Sequence, residues 1–405
     1  LEFPFTDAAF LLDTLTSHGY EAYVVGGAVR DYLLGRPVHD VDIATSAHPD
    51  DVISLFKRTV PTGIRHGTIT VIYRKRSYEV TTFRSEADYY DFRHPGKVTF
   101  ETSLDKDLMR RDFTINALAM ERTGRIIDLF GGTEDMSLKR IRMVGSPAER
   151  ITEDPLRIMR GIRFVSELNF NLGSDEQAAF SEKATLLRKI SVERIEQEMT
   201  RLLDGPARAK AIKLLFTTGC LYALPLIKNK TAAVEPNQVD FSVLATNDER
   251  WTAFLLVLGF RDIAEFAREW KWPGARRKAV ARLQYYFEQR KREPWSQLSI
   301  YIAGLRNAQS VERLLCAFGR IRRDRLSESL DRINRIWASC RIHSRSELAV
   351  NGRDLLTWSD ARQGPWMKEA LDQIEQNVVT GRIANDREAI ESWFRTWQAK
   401  LKKRF

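Results

Sequence analysis

The sequence predicts an α/β domain followed by a remainder that is almost entirely helical. Short apolar runs alternate with amphipathic ones over the first third, and "GTITVIYRKRSYEVTTF" doubles back across a charged turn. From about Arg150 onward apolar residues recur three and four apart, with Arg and Lys on the opposite faces. A chain of 405 residues is long for one core and is expected to hold roughly two to four domains.

In chain order, "TDAAFLLDTLTSHG" has a polar start, helical spacing and Gly19 at its end, so it predicts an amphipathic helix. "EAYVVGG" predicts a short strand, "AVRDYLLG" a helix closing at Gly35, and "HDVDIATS" a second strand. Asp50 is expected to open the helix "DDVISLFKRT", and the doubled run from Gly67 to Phe83 predicts a hairpin. Between Thr82 and Leu108 the chain is polar, charged and weakly periodic, the composition of a surface loop. "EDPLRIMRGIRFVSEL", "SVERIEQEMTRLL", "PARAKAIKLLFTTG", "ERWTAFLLVLG" and "SVERLLCAFGRIRRDRLSESLDRINRIW" all predict helix. Pro155 suits the first turn of its helix and Gly161 weakens it locally. "LPLIKNKTAAVEPNQVD" and "SCRIHSRSELAVNG" are expected connections, with no internal repeat.

Lys and Arg outnumber Asp and Glu by 64 to 54, a net charge of +10 that favours a polyanionic partner. Cys220, Cys316 and Cys340 form no CxxC or Cys/His cluster. With no secretory leader read in the sequence, a reduced cytoplasm is expected. No apolar run approaches the roughly 20 residues of a membrane span, so no membrane partner is expected.

The chemistry concentrates in "VVGGAVRDYLLGRPVHDVDIA". Residues i and i+2 of a strand share a face, so Asp40 and Asp42 project together while Val41 points away. Two such carboxylates repel unless a cation lies between them, and magnesium suits hard oxygen ligands and substrate phosphates. Gly26 and Gly27 stand where a strand hands over to a helix, a junction that presents backbone N–H groups to an anion. A solvated acidic strand and an ordinary turn would carry the same residues singly.

Together, Gly26-Gly27, Arg30-Asp31 and the Asp40-Val41-Asp42 triplet resemble the nucleotidyltransferase superfamily of the DNA polymerase β type. The resemblance implies two Mg2+ ions at Asp40 and Asp42, about 3.5–4 Å apart. It also implies a third carboxylate from a later strand, for which Glu79 is the match. Asp40, Asp42 and Glu79 are then the catalytic set.

"GGAVRD", "DVDIATSA", "TGIRHGT", "YEVTTFR", "RRDFTINA", "FGG", "EDPLRIMRGIRF" and "SVERIEQEM" resemble class II tRNA nucleotidyltransferases, the bacterial CCA-adding enzymes, and their poly(A) polymerase relatives. Weaker likeness continues through "ELAVNGRDLL" and "VVTGRIANDREAIESW". The implied architecture is a polymerase-β-like α/β head (1–147) followed by an all-α neck (148–204), body (205–335) and tail (336–405). The implied substrates are tRNA, CTP and ATP. Gly26, Gly27, Arg30, Arg111, Asp112, Asn116, Asp154, Arg157, Arg160 and Arg163 form the implied nucleotide-binding set. Arg157, Arg160 and Arg163, three apart, make a stripe on one helix. Asp154 can accept from the amino group of cytosine or adenine while Arg157 donates to the adjacent ring nitrogen, a pairing that uracil and guanine invert. A bidentate contact of this kind discriminates by about 1–3 kcal/mol. Arg111 is expected at the triphosphate, with Arg160 and Glu153 holding the reading pair. Asp112 and Asn116 contact ribose or fix the local helix.

In the family a flexible loop at 82–108 supports the switch to A, with Arg84 and Arg93 the residues to watch. Arg93-His94-Pro95 departs from the family's paired arginines. His66 is read as a turn residue beside the triphosphate. Basic helices beyond residue 205 are expected to meet tRNA phosphates with salt-sensitive affinity, and Trp270, Trp272, Trp337 and Trp393 to pack. Addition of A alone, poly(A) synthesis and non-catalytic RNA binding remain as alternatives at this point.

Overall fold

The computed structural model describes residues 3–89, 95–227, 233–359 and 361–402, and of 86–89, 95–98, 401 and 402 the backbone alone. It divides into two compact units, 1–231 with 268–271 and 232–267 with 272–405. In the first unit the strands are β1 (Ala22–Val25), β2 (Asp42–Thr45), β3 (Thr59–Gly63), β4 (Thr68–Tyr73), β5 (Arg76–Thr82), β6 (Arg84–Tyr89), β7 (Pro95–Phe100), β8 (Leu118–Met120) and β9 (Ile126–Asp128). Its helices are α1 (Thr6–Ser17), α2 (Gly27–Leu33), α3 (Pro49–Leu55), α4 (Leu104–Met109), α5 (Gly132–Ser137), α6 (Pro147–Glu153), α7 (Leu156–Leu168), α8 (Ser174–Lys183), α9 (Val192–Asp204) and α10 (Arg208–Thr217).

Seven strands form one sheet in the order β3-β4-β5-β2-β1-β8-β9. All neighbours are antiparallel except β2 and β5, which run parallel. The expected hairpin is β4–β5, closed by Arg74 and Lys75 in left-handed backbone (φ 48° and 65°), as a two-residue hairpin loop requires. Apolar residues on one strand face bury Val24, Ile43, Ile69 and Val80 completely, and α1 packs Leu11, Leu12 and Leu15 out of water.

The helix expected from Asp50 to Thr59 begins at Pro49 and ends at Leu55. Asp51 accepts the His48 N–H at 3.1 Å, which fixes the start one residue early. Thr59–Gly63 then pairs with β4 as an edge strand, because β-branched Thr59 and Val60 meet an otherwise open sheet edge. The segment expected as a loop from Thr82 to Leu108 holds the antiparallel pair β6–β7 and helix α4. Arg93 lies outside the described residues.

The helix expected from Glu153 starts three residues later, and a separate helix precedes it. α6 ends at Glu153, Asp154 takes extended backbone (φ −139°, ψ 99°) and α7 starts at Leu156. Pro155 causes the break, since its ring excludes helical geometry from the residue before it. Gly161 is a packing position rather than a weakness. A Cβ there would lie 2.7 Å from the Phe180 ring and 3.0 Å from Phe113, both fully buried.

The second unit is helical, from Asn247–Val257 to Arg387–Lys402. The long run from Ser310 to Trp337 breaks at Gly319 (φ 68°) into Leu305–Ala317 and Leu326–Ala338. The expected boundary at 335/336 therefore falls within a helix. Ile342, Leu355, Ile374, Val378 and Phe394 form the buried centre of the last part of the chain. Trp270 and Trp272 are buried, and Trp337 and Trp393 pack half-buried against His343 and Trp397. The three cysteines are buried and unbridged. Among the described residues no helix is long and apolar enough to cross a membrane.

Intrinsic helix propensity favours Ala over Gly by about 1 kcal/mol, yet the packing around Gly161 demands the opposite sign. Gly161→Ala is expected to lower the thermal midpoint, by overpacking worth about 1–3 kcal/mol; a calorimetric scan of the two proteins measures it.

Candidate active site

β1 ends at Val25 because its next residue, Gly26, turns left-handed (φ 73°) into α2. Val25 pairs with Asp42, so the ladder stops there and Asp40 lies in irregular chain just before β2, not within the strand as the pattern suggested. The parallel register pairing Ile43 with Val80 sets Asp42 beside Glu79, both on the face opposite those two core residues. Asp40, Asp42 and Glu79 thus line one wall of a cavity of about 870 Å³.

Although the residue is partly open to solvent, the Asp42 carboxyl is pushed up to about 6. Withdrawal from bulk water is the main cause, followed by the charge of Glu79; Asp40 adds to it and Arg111 opposes it. Among the described residues no group of three His, Cys, Asp or Glu side chains is arranged to hold a metal ion. The donor set still fits an open magnesium site. Its ligands are hard carboxylate oxygens, their crowding raises a pKa that a cation would lower, and magnesium characteristically keeps waters and substrate phosphates among its ligands.

The basic side of the cavity begins under Gly26. The positive φ favours glycine there, and a Cβ at that position would lie 2.7 Å from Arg111 Nη1 and push the guanidinium aside. Arg111 is held loosely, donating to the Asn116 carbonyl at 3.4 Å and to Asp107 at 3.3 Å, and its buried Nε has no hydrogen-bond partner. Burial depresses its pKa while Asp107 resists. At seven residues α2 contributes little dipole, so Arg111 rather than the helix end supplies the positive charge.

The arginines of α7 are each tied down. Arg157 donates to the Arg150 carbonyl (2.8 Å) and to Glu153 (2.6 Å). Asp154, freed from helix by Pro155, accepts from the Leu156 N–H (3.0 Å) and from Arg194 (2.8 Å). Arg160 donates to Asp112 at 2.7 Å, and Asn116 bridges Asp112 (3.1 Å) to Arg30 (2.6 Å), which also grips Asp31. Burial would raise the Asp112 carboxyl, but Arg160 and Asn116 hold it far below the usual range. Arg163 is 2% exposed and is held by Glu198 (2.6 Å) and Glu167 (2.7 Å).

The sequence-nominated residues from Gly26 to Arg163 line this one cavity, except Glu153, which reaches it through Arg157, and Arg93, which lies outside the described residues. His66 and Arg84 line it too, with Arg84 bonded to the His66 carbonyl. Arg194, Asp107 and Glu198 were missed. Arg194 and Glu198 are four apart in "SVERIEQEM", so their shared helix face was the available signal.

Family models match three stretches: "Poly A polymerase head domain" over residues 22–142, "Probable RNA and SrmB- binding site of polymerase A" over 169–230, and "tRNA nucleotidyltransferase domain 2 putative" over 243–394. The CCA-adding enzyme of Geobacillus stearothermophilus is 44% identical over 392 residues, 96% of each chain. The chain belongs to the class II CCA-adding enzymes, a family of tRNA nucleotidyltransferases. A second relative, the CCA-adding enzyme of Bacillus cytotoxicus, is 40% identical over 96% of this chain and 98% of its own. The crystal structure of the Bacillus stearothermophilus CCA-adding enzyme in complex with CTP superposes with a TM-score of 0.92 at 41% identity, covering both chains completely.

An acid with a native pKa of about 6, against about 3.9 unfolded, binds its proton more tightly when folded. Native stability therefore falls as pH rises from about 4 through about 6 and stays lower above. In metal-free buffer Asp42→Asn is expected to melt higher than the wild type above about pH 7, with the gap closing by about pH 4 in calorimetry. Added magnesium is expected to raise the wild-type midpoint and leave that of Asp42→Asn nearly unchanged.

Proposed function

We propose that this chain transfers CMP and AMP from CTP and ATP to the 3′ end of tRNA, building or repairing its CCA terminus without a nucleic-acid template. The observation that carries this reading is one cavity with three carboxylates on one wall and, among the described residues, nine arginines in its lining against six acids in all. The excess of positive charge suits a triphosphate, and the separate acidic wall suits the cation that accompanies it.

Asp40 and Asp42 would hold the metal, with Glu79 as the adjoining third carboxylate. Two magnesium ions bound there would supply polarisation of the α-phosphate and neutralisation of charge on pyrophosphate. The remaining work falls to the chain itself. Gly26 and Gly27 let the triphosphate approach the backbone, and Arg111 beneath Gly26 pairs with it. A carboxylate of the acidic wall accepts the proton of the attacking hydroxyl. Asp154 and Arg157 present an acceptor and donor to the base edge, held in that attitude by Arg194 and Glu153. Cytosine and adenine fit this pair, whereas uracil and guanine meet like against like and leave buried polar groups unpaired. Arg160, Asp112, Asn116 and Arg30 keep the head and neck sides of the cavity in register, and Arg163 braces α7 against α9 through Glu198. The division into head, neck, body and tail, with body and tail binding tRNA phosphates, belongs to the same proposal.

The test incubates the purified protein and magnesium with tRNA ending at the discriminator base, at C, or at CC, each with labelled CTP or ATP. Incorporation of both nucleotides is expected. ATP incorporation on the CC-ending substrate alone would mean A addition, long tails would mean poly(A) synthesis, and no incorporation would mean a binder. Asp40→Ala with Asp42→Ala should abolish transfer while leaving tRNA binding nearly intact. Arg157→Ala should erode discrimination against UTP by about 10-fold or more, the equivalent of one bidentate contact.

A further inference from the structure

Asp107 does not line the cavity, yet two residues that do, Arg110 and Arg111, depend on it. It sits on α4 with its residue fully buried. Its Oδ1 accepts from Arg110 Nε at 2.9 Å and Nη2 at 2.8 Å, and from the Arg84 N–H at 3.4 Å. Its Oδ2 accepts from Arg111 Nη2 at 3.3 Å. Burial alone would raise this carboxyl, but the two guanidinium groups beside it hold it below its ordinary value, so it is ionised at neutral pH.

Asp107 is the carboxylate that Arg111 bonds, and Arg111 in turn lines the cavity. The geometry also sets up a competition. Arg111 feels Asp107 and, more weakly, Asp42. Without the ionised Asp107, the nearest anion left to Arg111 is a carboxylate of the acidic wall. Collapse onto it would neutralise the phosphate seat and a proposed metal ligand in one step.

We propose that Asp107 is a positioning residue that holds Arg111 in the attitude in which it meets the incoming triphosphate and keeps it off Asp42. This rests on the reading of Gly26 and Arg111 as the triphosphate site. Asp107 acts through Arg111, so its effect requires that arginine. A role confined to packing α4 would not.

The experiment measures CMP incorporation on tRNA lacking its CCA end, with CTP varied, for the wild type, Asp107→Asn, Arg111→Ala and the double variant. Filter binding of tRNA and thermal midpoints are measured alongside. Asp107→Asn keeps the shape and removes the charge. It is expected to lower kcat/KM for CTP by about 100-fold, the scale of a catalytic group misplaced by about 1 Å, with tRNA affinity unchanged. In the Arg111→Ala background the same substitution is expected to cost almost nothing further. Wild-type CTP kinetics in Asp107→Asn, or an equal loss in both backgrounds, would overturn the inference while leaving the triphosphate reading in place. A wild-type protein that neither binds nor uses CTP would overturn both. If Asp107→Asn does not fold, Asp107→Glu, which keeps the charge and shifts it by one methylene, enters the same cycle with the same criteria.

Discussion

Opposite charges that share a cleft must be kept from neutralising each other, and much of the first unit is organised around that constraint. An arginine and an aspartate in contact at about 4 Å attract by about 4 kcal/mol at the effective dielectric of a protein surface. A substrate would have to break that contact before using either partner. Among the described residues no arginine is ion-paired with Asp40, Asp42 or Glu79. Most of the cleft arginines instead pair with another acid: Arg30 with Asp31, Arg157 with Glu153, Arg160 with Asp112, Arg163 with Glu198, Arg194 with Asp154, and Arg110 and Arg111 together with Asp107. These pairs are partly or wholly buried, so their value lies in fixed geometry more than in net stability. Among the described residues the acidic wall keeps no such partner, and the Asp42 carboxyl is raised, first by withdrawal from bulk water and then by the neighbouring charge of Glu79.

Backbone breaks do the fine positioning. Gly26 ends β1 opposite Asp42 and opens room above Arg111. Pro155 stops α6 at Glu153, which turns Asp154 out of helical geometry and lets its carboxylate accept from both Leu156 and Arg194. Glu153 and Arg157, four residues apart, still bond across the break. A continuous helix from Pro147 to Leu168 would take Asp154 out of the extended backbone in which its carboxylate meets Arg194, the attitude on which the proposed base reading depends.

The parts of the fold set by local pattern were legible in the sequence. The β4–β5 hairpin follows from β-branched runs around a charged turn, and the helices follow from apolar spacing closed by Gly19, Gly35 and Gly219, all with positive φ. Parts decided by distant partners were not. Thr59–Gly63 becomes a strand only because β4 offers an edge, and β6 pairs with β7 despite a polar composition that reads as loop. Gly161 looks like a flaw in a helix until Phe113 and Phe180 are seen against it. In the site, Gly26, Asp40, Asp42 and Arg157 stand in short motifs whose chemistry is readable from residue type. Arg194 carried only the weak signal of a helix face shared with Glu198, and Asp107 is an ordinary charged residue marked out by nothing but the contacts it makes.

The central claim is that the acidic wall takes divalent metal while the arginine wall takes a triphosphate and reads its base. The most direct measurement is a crystal structure with manganese and a non-hydrolysable CTP analogue, using anomalous scattering to locate the metal. The account predicts an anomalous peak between Asp40 and Asp42, phosphates over Gly26 and Arg111, and the cytosine edge against Asp154 and Arg157. Manganese or nucleotide bound with full occupancy elsewhere, with those residues untouched, would contradict it.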